Sequence, residues 1–77
     1  MNKARRVQLL EIQSELESLK ERLEGLKEEE QEYYDNMPES FQGGEKGEKA
    51  QETIDTMDNC VNSIDEAVVG IGEIVEA

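Results

Sequence analysis

The sequence predicts an all-α fold: an antiparallel helical hairpin over residues 1–77 that pairs with a second copy into a four-helix bundle. Two observations support this prediction. Apolar residues recur at alternating steps of three and four on both sides of a central break, as in helices that pack along a seam. The break, residues 35–44, contains the single proline of the chain and a Gly-Gly pair, which interrupt helices.

The first predicted helix covers residues 3–34, which are rich in the good helix formers Glu, Leu, Lys and Gln. Its seam occupies the a and d positions of a heptad: Leu9, Ile12, Leu16, Leu19, Leu23 and Leu26. Tyr33 is expected to continue the seam at a d position with Tyr34 at its rim, whereas Glu30 interrupts it. Polar residues flank this stripe, so it is narrow and suits contact with one neighbouring helix.

The second predicted helix covers residues 45–76 and repeats the rhythm. Its seam is again aliphatic: Ile54, Met57, Val61, Ile64, Val68 and Ile71. Cys60, Ala67 and Ile74 recur at every seventh residue beside the seam and widen the apolar stripe. A wide stripe indicates two neighbouring helices, and a single layer of two helices encloses no core. We therefore expect a homodimer with the second helices near its axis.

The linker is expected to form a short turn of its own. Asn36 is expected to cap this turn and Pro38 to lie in its first residues, an order that suits both side chains. Phe41 is expected to close the open end of the bundle, and Gly44 to cap the second helix. In this arrangement the basic start of the first helix meets the acidic end of the second.

The charge of the chain is strongly negative, with 20 acidic and 8 basic residues and a net charge of −12. Such a charge argues against direct binding to nucleic acid or to an anionic membrane surface, and it favours basic protein partners. After residue 50 the chain contains no Lys or Arg. An acidic face is predicted there, which is either simply solvated or docks on a basic host protein: Glu52, Asp55, Asp58, Asp65 and Glu66.

Catalytic residues, a metal site and a cofactor are not expected. The chain has no His, which removes the commonest general base and the Glu-x-x-His metal motif. Residues 55–66 have the length of a calcium-binding loop, but Met57 and Cys60 stand where a ligand and a glycine are required. Cys60 is the single thiol, and we expect a small buried side chain and a reducing, cytoplasmic setting rather than a reactive or disulfide-bonded cysteine. No apolar run is long enough to span a membrane.

The middle of the chain is its most distinctive part and reads Tyr33-Tyr34-Asp35-Asn36-Met37-Pro38-Glu39-Ser40-Phe41-Gln42. Residues 45–50 and an aliphatic helix with regularly spaced acids follow. With these features the sequence resembles small acidic helical-hairpin proteins of phages and mobile elements of Gram-positive bacteria, over about residues 10–77. The resemblance implies no reaction and transfers no functional residue. Gly44 stands where that pattern leads us to expect a Ser cap.

These observations favour a non-enzymatic protein–protein interaction module of a phage or mobile element. Two alternatives stay open. One is an acidic inhibitor that imitates the charge of DNA and occupies the nucleic-acid groove of a host defence protein, as anti-restriction and anti-CRISPR proteins do. The other is a scaffold or accessory component of a phage assembly. The sequence identifies no particular partner.

Overall fold

The computed structural model describes residues 1–77 and contains three helices and no strand. Helix α1 covers Lys3–Asp35, the short helix α2 covers Glu39–Gln42, and α3 covers Glu45–Glu76. Helices account for 90% of the chain, which confirms the predicted all-α class. The molecule is 58 Å long and only 15 by 13 Å across, so it is a long pair of helices rather than a sphere.

Helices α1 and α3 lie side by side and run in opposite directions. Near the start of α1, the Arg6 guanidinium donates a hydrogen bond to the carbonyl oxygen of Ala77 over 3.2 Å. Nearer the end of α1, the Lys27 ammonium binds the Asp58 carboxylate over 2.7 Å. The contact at the start of α1 therefore involves the end of α3, and the contacts move towards the start of α3 as α1 proceeds.

An asparagine caps each end of α1. The side chain of Asn2 accepts a hydrogen bond from the backbone N–H of Arg5 over 2.8 Å, which satisfies one of the free donors at the start of the helix. The backbone N–H of Asn36 donates to Glu32, so Asn36 ends α1. The prediction that Asn36 caps the linker turn is wrong. Pro38 immediately precedes α2 instead, where its missing N–H removes no hydrogen bond.

The linker packs tightly on the start of α3. The Gln42 side chain donates to the carbonyl oxygen of Tyr34 over 3.0 Å and joins α2 to the end of α1. Gly44 caps α3, as predicted. A β-carbon added to Gly47 would overlap the backbone of Gln42, so only glycine fits there. Phe41 does not close the end of the pair: it is half exposed, with the Lys46 ammonium 5.6 Å from its ring centroid.

The contact between α1 and α3 encloses no large side chain. Buried residues are limited to Gly47, Ala50 and Val61, and none of them is large. The accessible surface is 5862 Å². A compact monomer of 8.7 kDa is expected to expose about 4,700 Å², so this chain exposes about 1,100 Å² more. The helix pair therefore leaves much of its apolar surface in contact with solvent.

The tight contact at Gly47 predicts opposite effects for two glycine substitutions. Gly47→Ala is expected to lower the free energy of unfolding by about 1–3 kcal/mol, because the new β-carbon would force α2 away from α3. Gly25→Ala, where an added β-carbon meets nothing within 4 Å, is the matched control and is expected to gain about 1 kcal/mol of helix propensity. Urea unfolding followed by circular dichroism measures both. Equal effects of the two substitutions would contradict the close packing of Gly47.

Candidate interaction surfaces

One edge of the contact between the long helices is made of ion pairs. The Lys20 ammonium binds the Asp65 carboxylate over 2.9 Å, and one heptad later Lys27 binds Asp58 over 2.7 Å. Both lysines occupy the e position of the α1 heptad, and both aspartates occupy the e position of α3. The two pairs thus repeat the same contact and fix the register of α1 against α3.

Gln13 extends this edge by a further heptad towards the start of α1. Its side-chain amide donates to the carbonyl oxygen of Val68 over 3.0 Å. A β-carbon at Gly72 would lie 3.2 Å from the amide nitrogen, so the glycine leaves room for this side chain. We call Gln13, Lys20 and Lys27, with their partners Asp58 and Asp65, the polar edge. It joins the helices through hydrogen bonds and charge rather than through apolar contact.

The ion pairs shift the pKa of both lysines. The hydrogen bond to Asp65 raises the pKa of Lys20 above its ordinary value, and partial desolvation opposes this shift only in part. The hydrogen bond to Asp58 raises the pKa of Lys27 in the same way. The lysine side chains are 29% and 32% exposed, so water screens both pairs. They contribute to register more than to the strength of the contact.

The polar edge determines which side of α1 faces α3. Because Gln13, Lys20 and Lys27 contact α3, the helix is turned so that its a and e positions face inward. The predicted seam is therefore divided between two sides of α1. Half-buried members that face α3 are Leu9, Leu16 and Leu23, and exposed members that face away are Ile12, Leu19 and Leu26.

The orientation of α1 also determines where the two tyrosines lie. Tyr34 is half-buried in an inward position, whereas Tyr33 is exposed on the outward side. The sequence had predicted the reverse, with Tyr33 packed in the seam and Tyr34 at its rim. The prediction is wrong because it assigned the inward face to the a and d positions, whereas the structure uses a and e.

The outward side of α1 carries a line of large apolar side chains. Ile12, Leu19, Leu26 and Tyr33 recur at every seventh residue and are between 46% and 54% exposed. Residues at this spacing lie above one another on a helix, so the line is continuous. It runs for about 32 Å at 1.5 Å per residue.

The neighbouring side of α3 is apolar but carries smaller side chains. Cys60 and Ala67 are exposed there, followed by Ile74 at the far end. Cys60 was expected to be buried; it is a free, exposed thiol because α1 does not reach this side of α3. Tyr33 lines a shallow groove together with Lys49 and Thr53 of α3, and Thr53 lies seven residues before Cys60, so the outward side of α1 borders this side of α3. Together they form a surface that we call the apolar flank: Ile12, Leu19, Leu26, Tyr33, Cys60, Ala67 and Ile74.

The predicted seam of α3 faces α1 and forms the α3 side of the contact between the two long helices. Val61 is buried, and the other predicted members are half-buried: Ile54, Met57, Ile64, Val68 and Ile71. Here the a and d positions both face inward, so the seam is not divided as it is in α1.

The predicted acidic face consists of two kinds of carboxylate. Asp58 and Asp65 belong to the polar edge and are neutralised in part by lysines of α1. After residue 50 the chain contains no Lys or Arg, so these lysines come from the other helix. Glu52, Asp55 and Glu66 are exposed and form no ion pair in this structure. The part of the acidic face whose carboxylates form no ion pair within the chain is therefore smaller than predicted.

Two further features of the chain concern metals and membranes. No three carboxylate or thiol side chains lie close enough together to hold a metal ion. Neither long helix contains a stretch that is apolar enough to cross a bilayer.

Comparisons with protein-family models, with curated proteins and with solved structures find no match to this chain. The resemblance to small acidic helical proteins of phages and mobile elements stays a prediction from the sequence.

The lysine pKa shifts predict a pH dependence of stability. In the double variant Lys20→Gln/Lys27→Gln both ion pairs are lost, and the free energy of unfolding is expected to fall near neutral pH. Because the folded-state pKa values lie above the unfolded ones, the contribution of the pairs is complete below the ordinary lysine pKa of about 10.4. It is lost as the pH rises through the raised values, so the two proteins are expected to become equally stable there.

The control for this experiment is Lys3→Gln/Lys49→Gln, which changes the net charge equally without breaking an ion pair. Chemical unfolding at a series of pH values measures all three proteins. A control that loses as much stability as the polar-edge variant would show that the overall charge, and not the ion pairs, is responsible.

Proposed function

We propose that the chain is a non-enzymatic protein–protein interaction module: an antiparallel helical hairpin that acts by presenting its surfaces to other proteins. The observation that carries this proposal is the apolar flank. Its large side chains are about half exposed, and they form one continuous line rather than scattered positions.

Scattered apolar residues are normal on protein surfaces, whereas contiguous apolar patches mark interaction sites. The flank belongs to the second kind, because four large side chains of α1 adjoin three apolar positions of α3. Helix packing inside the pair does not require them, since the polar edge and the inward leucines provide that contact. Their presence supports a role in association with another protein surface.

The two sides of the pair differ in chemistry, which also supports an interaction role. After residue 50 the charged residues of α3 lie on the side of the polar edge and the acidic face, whereas Cys60, Ala67 and Ile74 lie on the opposite side, with Lys46 and Lys49 at the start of the helix. One side therefore suits hydrophobic assembly, and the other keeps the assembly dissolved through its negative charge.

The biological setting that we propose is a phage or mobile element, with the cytoplasm as the compartment. The sequence resemblance supports the first part, and the single free cysteine supports the second. A homodimer in the form of a four-helix bundle is the assembly that the proposal includes. A scaffold or accessory role in a phage assembly would use the same flank with a different partner.

Capture experiments with matched variants test the proposal. Leu19→Glu/Leu26→Glu places two charges on the apolar flank, and Leu10→Glu/Val69→Glu replaces two exposed apolar residues elsewhere. The immobilised chain is expected to retain bound proteins, its own copies included, that the flank variant loses and the control keeps. Mass spectrometry of the bound fractions measures this. Identical bound fractions for all three proteins would contradict the proposal.

The acidic face supports a second candidate, an inhibitor that occupies the nucleic-acid groove of a basic host protein. Glu52, Asp55 and Glu66 are exposed and form no ion pair, although Lys49 lies near Glu52; like charges grouped on one helix face cost stability, which supports a use for them. Such a face would attract a cationic groove strongly at low salt, because exposed charges are screened within about 8 Å at physiological ionic strength.

Charge reversal tests this second candidate. The variant Glu52→Lys/Asp55→Lys/Glu66→Lys is expected to lose basic host proteins that the native chain captures at low salt, and high salt is expected to release the same proteins. The control Glu11→Lys/Glu21→Lys/Glu28→Lys changes the net charge equally on α1. If neither salt nor the α3 variant alters the captured proteins, the acidic face is a solvated surface and the inhibitor function is excluded.

A further inference from the structure

The apolar flank consists of two stripes that differ in side-chain size. The α1 stripe is large, with Ile12, Leu19, Leu26 and Tyr33. The α3 stripe is smaller over most of its length, and the next line of residues on α3 is small and uncharged as well: Thr56, Ser63 and Gly70. An added β-carbon at Gly70 meets nothing within 4 Å, so this side of α3 is open.

The ion pairs place the two stripes at matching heights. Lys20 lies level with Asp65, and Lys27 lies level with Asp58. Leu19, which precedes Lys20, is therefore level with Ala67 of the same chain to within one residue, or about 1.5 Å. By the same register Leu26 is level with Cys60.

We infer that a second copy of this chain covers the apolar flank, with α1 of each copy packed against α3 of the other. The inference rests on the proposed interaction function with its homodimer, and it adds which helix of one copy packs against which helix of the other. The two copies are related by a two-fold axis parallel to the helices, and every neighbouring pair of helices in the resulting bundle is antiparallel.

Size complementarity is the first argument for a second copy. A two-fold axis parallel to the helices leaves the height of every residue unchanged, so Leu19 of one copy meets Ala67 of the other. Leu26 likewise meets Cys60 of the other copy. Along the middle of the flank each large side chain then faces a small one, as close packing requires, whereas Ile12 faces Ile74 at one end. A two-fold interface needs such a self-complementary surface, and the flank contains both halves of it.

The other two-fold arrangement, with α1 against α1 and α3 against α3, fits less well. It brings the large stripes together on one side and leaves the small stripes facing each other on the other side. The first contact would be crowded and the second would contain voids. Both defects are costly in close-packed interiors.

The exposed area is the second argument. The chain exposes 5862 Å², about 1,100 Å² more than a compact monomer of its mass. A stable interface of standard size buries about 800 Å² on each partner. The excess exposed area is thus large enough for one further copy of the chain to cover a standard interface on it.

Charge decides how this association depends on salt. Most of the acidic face lies on the side of α3 away from the flank, although Glu52 lines a groove with Cys60, so most of these carboxylates point outward in a pair of copies. The net charge of −12 on each copy still opposes association at long range. Added salt screens this repulsion, so the dimer is expected to become tighter with salt. Docking of the acidic face on a basic protein is expected to become weaker as salt is added.

Sedimentation equilibrium of the full chain tests the dimer. The native chain is expected to show twice its mass of 8.7 kDa at tens of micromolar, and its dissociation constant is expected to fall as salt is added. Leu19→Glu and Ala67→Glu are each expected to raise the dissociation constant at least about 100-fold, whereas Leu10→Glu and Val69→Glu are expected to leave it within a factor of about three. Circular dichroism confirms that each variant keeps its helices.

The single native cysteine tests the geometry. A Leu26→Cys/Cys60→Ser chain is mixed with the native chain and oxidised, and disulfide-bonded species are separated by mass. A disulfide between the two different chains is expected, because Leu26 of one copy faces Cys60 of the other. Native chains alone are expected to form no disulfide, since the two Cys60 residues lie on diagonal helices, beyond the reach of a disulfide bond.

The outcomes separate this inference from the proposed function. A folded monomer that still captures other proteins through the flank overturns this inference and the homodimer of the proposed function, and leaves the role in binding other proteins standing. A dimer that yields only disulfides between like chains, or none, overturns the geometry. A folded monomer that captures nothing overturns both.

Discussion

Two helices form a single layer, and a single layer cannot surround a side chain. This constraint explains the burial pattern of the whole chain. The residues that become buried are small or lie at the centre of the contact, namely Gly47, Ala50 and Val61. Larger aliphatic side chains of both helices stay half exposed, because nothing lies on the other side of them. The dense packing that stabilises most domains therefore requires a second layer.

The polar edge determines where the second layer can attach. It turns α1 so that Gln13, Lys20 and Lys27 reach α3, and the same rotation brings Leu19 and Leu26 to the opposite side. Weak, solvent-screened ion pairs thus have a large structural consequence. They select between two nearly equivalent faces of the helix, and the face that is not selected becomes the apolar flank.

The sequence was sufficient to predict the helical class and the break near Pro38, because periodicity and helix-breaking residues are local properties. The orientation of α1 was not predicted, because it depends on residues more than thirty positions away, such as Asp58 opposite Lys27. A signal for it was present: lysines at two successive e positions of the first helix match aspartates at two successive e positions of the second. The apolar flank follows from this pairing, as does the exposure of Cys60. In the dimer that we infer, α1 and α3 lie equally near the axis, whereas the sequence alone favoured second helices near the axis.

Small-angle X-ray scattering in solution tests this account most directly, because it measures mass and length together. A side-by-side pair of copies has the mass of two chains and a length close to that of one, whose Cα atoms extend over 58 Å. We expect this combination at concentrations where the helices are fully formed. The mass of a single chain with the same length, or the mass of two chains with nearly twice the length, would contradict it.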